Sequence, residues 1–169
     1  MSVTEILLYL AIAAVVVWRV IIRQWRGSAI TVRGLVLIPG ILVVIGVSNC
    51  LAALSRASAG EIELLVADVV VLIGLGVARA ASTTVTTRGG NAFQKGTVLT
   101  LLLWLTTIVV RIGVAVLGTR LGVAGPLTSA SVVLSMGLSI GVQNAVIYLR
   151  ARSLGLPVAA DRRGLAVRP

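Results

Sequence analysis

The stretch EIELLVADVVVLIGLGVARAA, residues 61–81, decides the fold. Its fifteen residues between Glu63 and Arg79 carry a single charge, Asp68. A bilayer core needs about 20 mainly apolar residues per helix, and carboxylates in a first turn suit the partial positive charge of a helix N-terminus. The stretch therefore predicts a membrane-spanning helix that begins at Glu61 and Glu63, with Ser58 as its cap. Working outward, four more runs qualify: 4–22, 34–54, 97–118 and 127–149. The composition agrees, with 58% hydrophobic and 12% charged side chains in 169 residues, against about 45–50% and about 25% in soluble domains. A water-soluble globule is excluded, and so is disorder, which requires low hydrophobicity.

The charges give these spans a direction. No basic residue precedes the first run, whereas Arg19, Arg23 and Arg26 lie at or beyond its end. That order is the reverse of a secretory leader and predicts a retained anchor with its N-terminus outside. Five spans then place three segments in the cytoplasm. The first loop region carries Arg19, Arg23, Arg26 and Arg33, the third Arg79, Arg88 and Lys95, and the tail Arg150, Arg152, Arg162, Arg163 and Arg168. These are twelve of the fifteen basic residues; Arg56 and Arg120 fall in the outer loops and Arg111 within the fourth span. Lys and Arg resist translocation, so the count predicts a multi-pass plasma-membrane protein with a cytoplasmic C-terminus. The net charge of +10 reads as loop charge facing anionic lipid at the cytoplasmic loops and tail, not as nucleic-acid binding. Trp18 and Trp25 flank the inner end of the first span, and Tyr148 that of the fifth, at headgroup level.

The side-chain inventory removes most chemistries. Histidine is absent, Cys50 is the one cysteine, and the five carboxylates (Glu5, Glu61, Glu63, Asp68, Asp161) form no metal-binding pattern. Zinc or haem ligation through histidine, a Ser/His/Asp triad and a dithiol are therefore excluded. No catalytic residue, metal site or cofactor is assigned, and Cys50 is read as a small hydrophobe near a helix end.

Residues 82–96 form the one loop with strand character. A Thr- and Val-rich run at 83–87, a Gly89-Gly90 turn and a short second arm predict a cytoplasmic β-hairpin between the third and fourth spans. A lone hairpin is marginal in water, so it must rest on the membrane or on the first loop. The expected architecture is an all-α integral membrane protein, a bundle of five transmembrane helices within a single domain 1–151. Residues 152–169 are expected to be a basic, disordered tail.

In lipid, small and polar residues mark helix interfaces. Ser131, Ser135 and Ser139 recur every four residues, as do Gly137, Gly141 and Ala145. The serines with Gly137 and Gly141 are assigned to helix packing, and Asn49, Gln143 and Asn144 to the polar bundle interior. Thr100, Thr106 and Thr107 add hydroxyls to the fourth span, and Pro39 with Gly40 marks a kink in the second. The sharpest signal is Asp68 with Arg111. Asp68 lies seven residues after Glu61 and Arg111 seven before Gly118, so at about 1.5 Å per residue both sit roughly 10 Å below the outer rim. A charge near a span centre costs about 2.5–3.5 kcal/mol, and pairing offsets that cost. A direct or water-bridged Asp68–Arg111 contact is expected.

The stretch Gly74-Leu75-Gly76-Val77-Ala78-Arg79, the Thr/Val-rich hairpin, Lys95-Gly96, Leu103-Trp104 and Arg111-Ile112-Gly113 resemble the CcdC-like family of small bacterial polytopic membrane proteins. The resemblance covers residues 34–118 and implies a multi-span plasma-membrane protein with a cytoplasmic hairpin. It supplies no catalytic residues. The reading is a non-enzymatic membrane protein, a structural or accessory component that packs against a second copy or a membrane-protein partner. The alternative is a small transporter or permease subunit that uses Asp68, Arg111, Gln143 and Asn144.

Overall fold

A computed structural model describes residues 27–88, 91–123 and 125–158. Four helices account for most of them: α1 (Val32–Leu54), α2 (Ala59–Ser82), α3 (Val98–Arg120) and α4 (Pro126–Ser153). All four are long and apolar enough to cross a membrane. They correspond to the second to fifth spans expected from sequence, each extended by one to four residues at one or both ends. The expected span 4–22, with Trp18 and Trp25, lies outside the described residues.

The helix starts follow local chemistry. Thr31 accepts from the Gly34 amide at 3.3 Å, and Ser58 with Glu61 and Thr97 with Thr100 form reciprocal capping boxes. α4 begins with Pro126 at a first-turn position and has no capping side chain of its own. It ends at Gly155, whose positive φ of 65° closes the helix while the Leu156 amide returns to the Ala151 carbonyl at 3.0 Å.

The strand segment is larger than a hairpin. β2 (Thr84–Arg88) and β3 (Asn91–Lys95) pair antiparallel with Thr86 opposite Phe93. A two-residue strand β1 (Ser28–Ala29) adds to the other edge of β3. The first loop thus braces the hairpin through backbone bonds. Ile30, Leu35, Ala80, Ala92, Ile147 and Ala151 form a buried cluster at this end of the bundle, with Leu156, Val158 and Tyr148 packed against it. α4 continues to Ser153, and the Pro157 carbonyl accepts from the Ala92 amide at 2.9 Å. Leu156 and Val158, partly buried, pack that segment against the cluster.

α4 is the central helix, packed on α1 along one side and on α2 along the other, with α3 against α2. Glycines permit the closest approaches. A Cβ on Gly46 would strike the Leu134 backbone, one on Gly137 would lie 2.9 Å from the Val43 nitrogen, and one on Gly76 would lie 2.5 Å from the Ser139 carbonyl oxygen. The outward faces carry large exposed aliphatic side chains, among them Val44 and Val109, each 66% exposed. Lipid is the solvent in which such faces are stable.

Candidate functional site

The face of α2 that meets α4 buries Glu61, Asp68, Leu72, Gly76, Arg79 and Ala80. Their spacing keeps to one helical stripe, so three ionisable groups enter the same seam at different depths. α3 turns Thr100 and Thr107 toward it, and α4 contributes Ser131, Ser135 and Ser139, all buried.

At the end of the bundle away from the sheet, Glu61 serves two helices. One carboxylate oxygen completes the cap of α2, and the other accepts from the Leu127 amide in the first turn of α4 at 3.0 Å. A Cβ on Gly125 would collide with this carboxylate, so a larger residue there would have to displace Glu61 from the Leu127 amide. At the sheet end Arg150 of α4 reciprocates: its Nη1 donates to the Ala80 carbonyl at 2.6 Å and to the Thr83 carbonyl at 3.0 Å, closing the end of α2. α2 and α4 run parallel, so their dipoles add, and an anion at the shared N-terminal end with a cation at the shared C-terminal end offsets them. Arg150, counted in sequence among the tail charges, is a helix cap.

Deeper in the seam, Arg111 Nη1 of α3 donates to Asp68 Oδ2 of α2 at 2.5 Å. Each residue stands nine positions from its helix end, so the two counts bring them to one level, about 14 Å in. The Asp68 side chain is 1% exposed and that of Arg111 15%. Ser135 sits beside the Asp68 carboxyl, its hydroxyl donating to the Ser131 carbonyl at 2.9 Å. Asp68 Oδ1, Arg111 Nη2 and Trp104 Nε1 are buried and find no hydrogen-bond partner among the described residues.

Nearer the sheet lies the residue that composition reading misassigned. Arg79, counted as a loop charge, is fully buried. Its Nε donates to Gln143 Oε1 at 2.9 Å, Nη1 to Thr107 Oγ1 at 2.7 Å and Nη2 to Ser139 Oγ at 2.6 Å. The guanidinium stacks 4.1 Å from the centre of the Trp104 ring. Both hydroxyls have their protons engaged elsewhere, Ser139 on the Leu72 carbonyl at 2.6 Å and Thr107 on the Leu103 carbonyl at 2.8 Å, which leaves their lone pairs to the arginine. Among the described residues no carboxylate pairs with Arg79, so neutral dipoles and one ring hold its charge. A signal for this was present in the sequence. Arg79 follows Asp68 by eleven residues, three helical turns, which returns it to the same stripe.

The other sequence-assigned residues divide. Gln143 joins Arg79, whereas its neighbour Asn144 faces α1 and donates from Nδ2 to the Leu35 carbonyl at 2.8 Å. That carbonyl lies four residues before Pro39, which has no N–H to offer it; Asn144 supplies the missing donor. Asn49, assigned to the bundle interior, is exposed. The buried stripe of α1 runs through Leu35, Pro39, Gly46, Cys50 and Ala53, and Asn49 falls off it. Thr106 likewise faces outward and bonds its own Leu102 carbonyl at 3.0 Å. Gly141 lies 3.6 Å, measured from an added Cβ, from the Pro39 ring. Comparison with protein-family models, curated proteins and solved structures returns no match, so the geometry of this seam alone must carry its interpretation.

Proposed function

We propose that this chain is a non-enzymatic integral membrane protein, a structural or accessory component of a plasma-membrane complex. In this reading it has five spans, an outside N-terminus and a cytoplasmic C-terminus. The observation that carries it is the Arg79 clamp. One guanidinium from α2 engages Thr107 and Trp104 of α3 together with Ser139 and Gln143 of α4, so a fully buried charged group is consumed in holding helices together. The residues that make this clamp, Arg79 and Trp104, stand within the stretches that resemble the CcdC-like family, and the proposal includes membership of it. The broad exposed aliphatic faces of α1 and α3 suit lipid, a second copy or a membrane-protein partner. Arg33, Arg88, Lys95 and Arg152, exposed at the sheet end, suit anionic headgroups. Purification in mild detergent tests the reading: a membrane protein retained at fixed stoichiometry supports it, and a monomer that elutes alone at all detergent concentrations refutes it.

A second reading, a small transporter subunit, is favoured by one specific observation. Asp68 Oδ1, Arg111 Nη2 and Trp104 Nε1 are buried and have no hydrogen-bond partner among the described residues, and ionisable groups inside a membrane commonly line ion or solute paths. Ion flux into vesicles containing the purified protein, abolished by Asp68→Asn, would favour this reading over the first.

A further inference from the structure

The Asp68–Arg111 pair is made end-on. One guanidinium nitrogen, Nη1, meets one carboxylate oxygen, Oδ2, where a planar fork facing a carboxylate commonly makes two parallel bonds. The end-on approach leaves one atom over on each partner. Oδ1 can only accept, Nη2 can only donate, and neither has a hydrogen-bond partner among the described residues. Both atoms are buried, and the Asp68 side chain is 1% exposed. They are tied to the two ends of a 2.5 Å bond, so they lie on one short stretch of the seam. A buried polar atom without a partner is costly, most of all on a charged group.

The two atoms ask for opposite things. Oδ1 needs a donor and Nη2 an acceptor, so whatever satisfies both must be both. A monatomic anion would accept from Nη2 but lie against the carboxylate. A monatomic cation would meet Oδ1 but lie against the guanidinium. A third group narrows the choice. Ser135 sits beside the Asp68 carboxyl with its own proton committed to the Ser131 carbonyl at 2.9 Å, so its oxygen has only lone pairs left to offer. Water matches all three: it donates to Oδ1, donates to the Ser135 oxygen and accepts from Nη2. A buried water typically makes about three such bonds. The other guanidinium in the seam, that of Arg79, has each of its nitrogens bonded to a protein oxygen and does not compete.

We infer that a resident water molecule bridges Asp68 Oδ1 and Arg111 Nη2 in the seam between α2, α3 and α4, with the Ser135 oxygen as its third partner. The site takes a small neutral molecule that both donates and accepts, and it discriminates against ions of either sign. Such a water suits a structural seam and a solute path alike, so its test does not depend on which function holds. In the full-length protein crystallised from a lipid mesophase with rubidium bromide as the salt, a peak should stand within about 3.2 Å of both Oδ1 and Nη2. It should carry no anomalous signal at the rubidium or bromine edge. In lipid vesicles, solid-state NMR should show magnetisation passing from water to the Asp68 carboxyl carbon several-fold faster than to the Leu72 carbonyl carbon. Leu72 is the control because it is fully buried and its oxygen accepts from the Ser139 hydroxyl; Asp161→Asn leaves Asp68 as the one aspartate to label. Ser135→Ala removes the third partner alone and should keep the faster transfer. Its loss would assign the signal to the serine hydroxyl and overturn the water. Nη2 bonded directly to Oδ1, an anomalous peak beside either atom, a side chain from residues 1–26 donating to Oδ1, or equal transfer rates would each overturn it too.

Discussion

The two sides of α4 are built by different chemistry. Toward α2 and α3 it presents Ser135, Ser139 and Gln143 to a seam of charged side chains, and bonds pass from side chain to side chain across three helices. Toward α1 it presents Gly137 and Gly141, backbones nearly touch, and the side-chain hydrogen bond from Asn144 repairs a carbonyl orphaned by proline. The first contact is directional and intolerant of losing one member. The second depends on shape. For helices able to cross a membrane both kinds of contact matter, since lipid offers neither a hydrophobic drive to pack helices nor water to satisfy a stranded polar group.

The sharpest way to break the comparison is at the ion pair. Arg111→Ala leaves Asp68 buried without its cation and should lower unfolding stability in detergent by about 3–5 kcal/mol. Asp68→Arg combined with Arg111→Asp should express better than either single change; if it does not, the direct pairing is wrong. Next in size, Arg79→Lys keeps the charge but loses the fork and the stacked plane, for a loss of about 2–4 kcal/mol. Quenching of Trp104 fluorescence should change with it, since the ring loses its cation.

On the α1 side the effects should be smaller and steric. Gly137→Val pushes side-chain atoms into Leu42 and Val43 and should cost about 1–3 kcal/mol by thermal unfolding. Asn144→Leu should cost about 1–3 kcal/mol by stranding the Leu35 carbonyl. That penalty should shrink when Pro39→Ala restores the missing donor, and a double-mutant cycle with no coupling would reject the repair. Gly40→Ala, six residues from Gly46 on the same helix, should change stability by no more than about 0.5 kcal/mol.

Much of this was legible in the sequence for a physical reason: lipid forces apolar length, so α1 to α4 could be found by counting residues. The level of Asp68 and Arg111 followed from the same counting. Arg79 was not legible by charge bookkeeping, because a basic residue three positions from a helix end looks the same whether it points to the headgroups or turns inward onto Trp104. Asn49 failed for the converse reason: a polar residue in an apolar run is buried only if its azimuth faces a neighbour, and that depends on which stripe the glycines select. β1 was invisible because two residues carry no periodicity; only the free edge of β3 makes them a strand.

The exchange of caps between Glu61 and Arg150 has a mechanical consequence. Sliding α2 lengthwise past α4, even by a fraction of a turn, would uncouple both tips at once and strand amides at one and carbonyls at the other. The two helices must therefore travel as a single strut. Among the described helices, any rearrangement is then left to α1 or α3, pivoting about that strut.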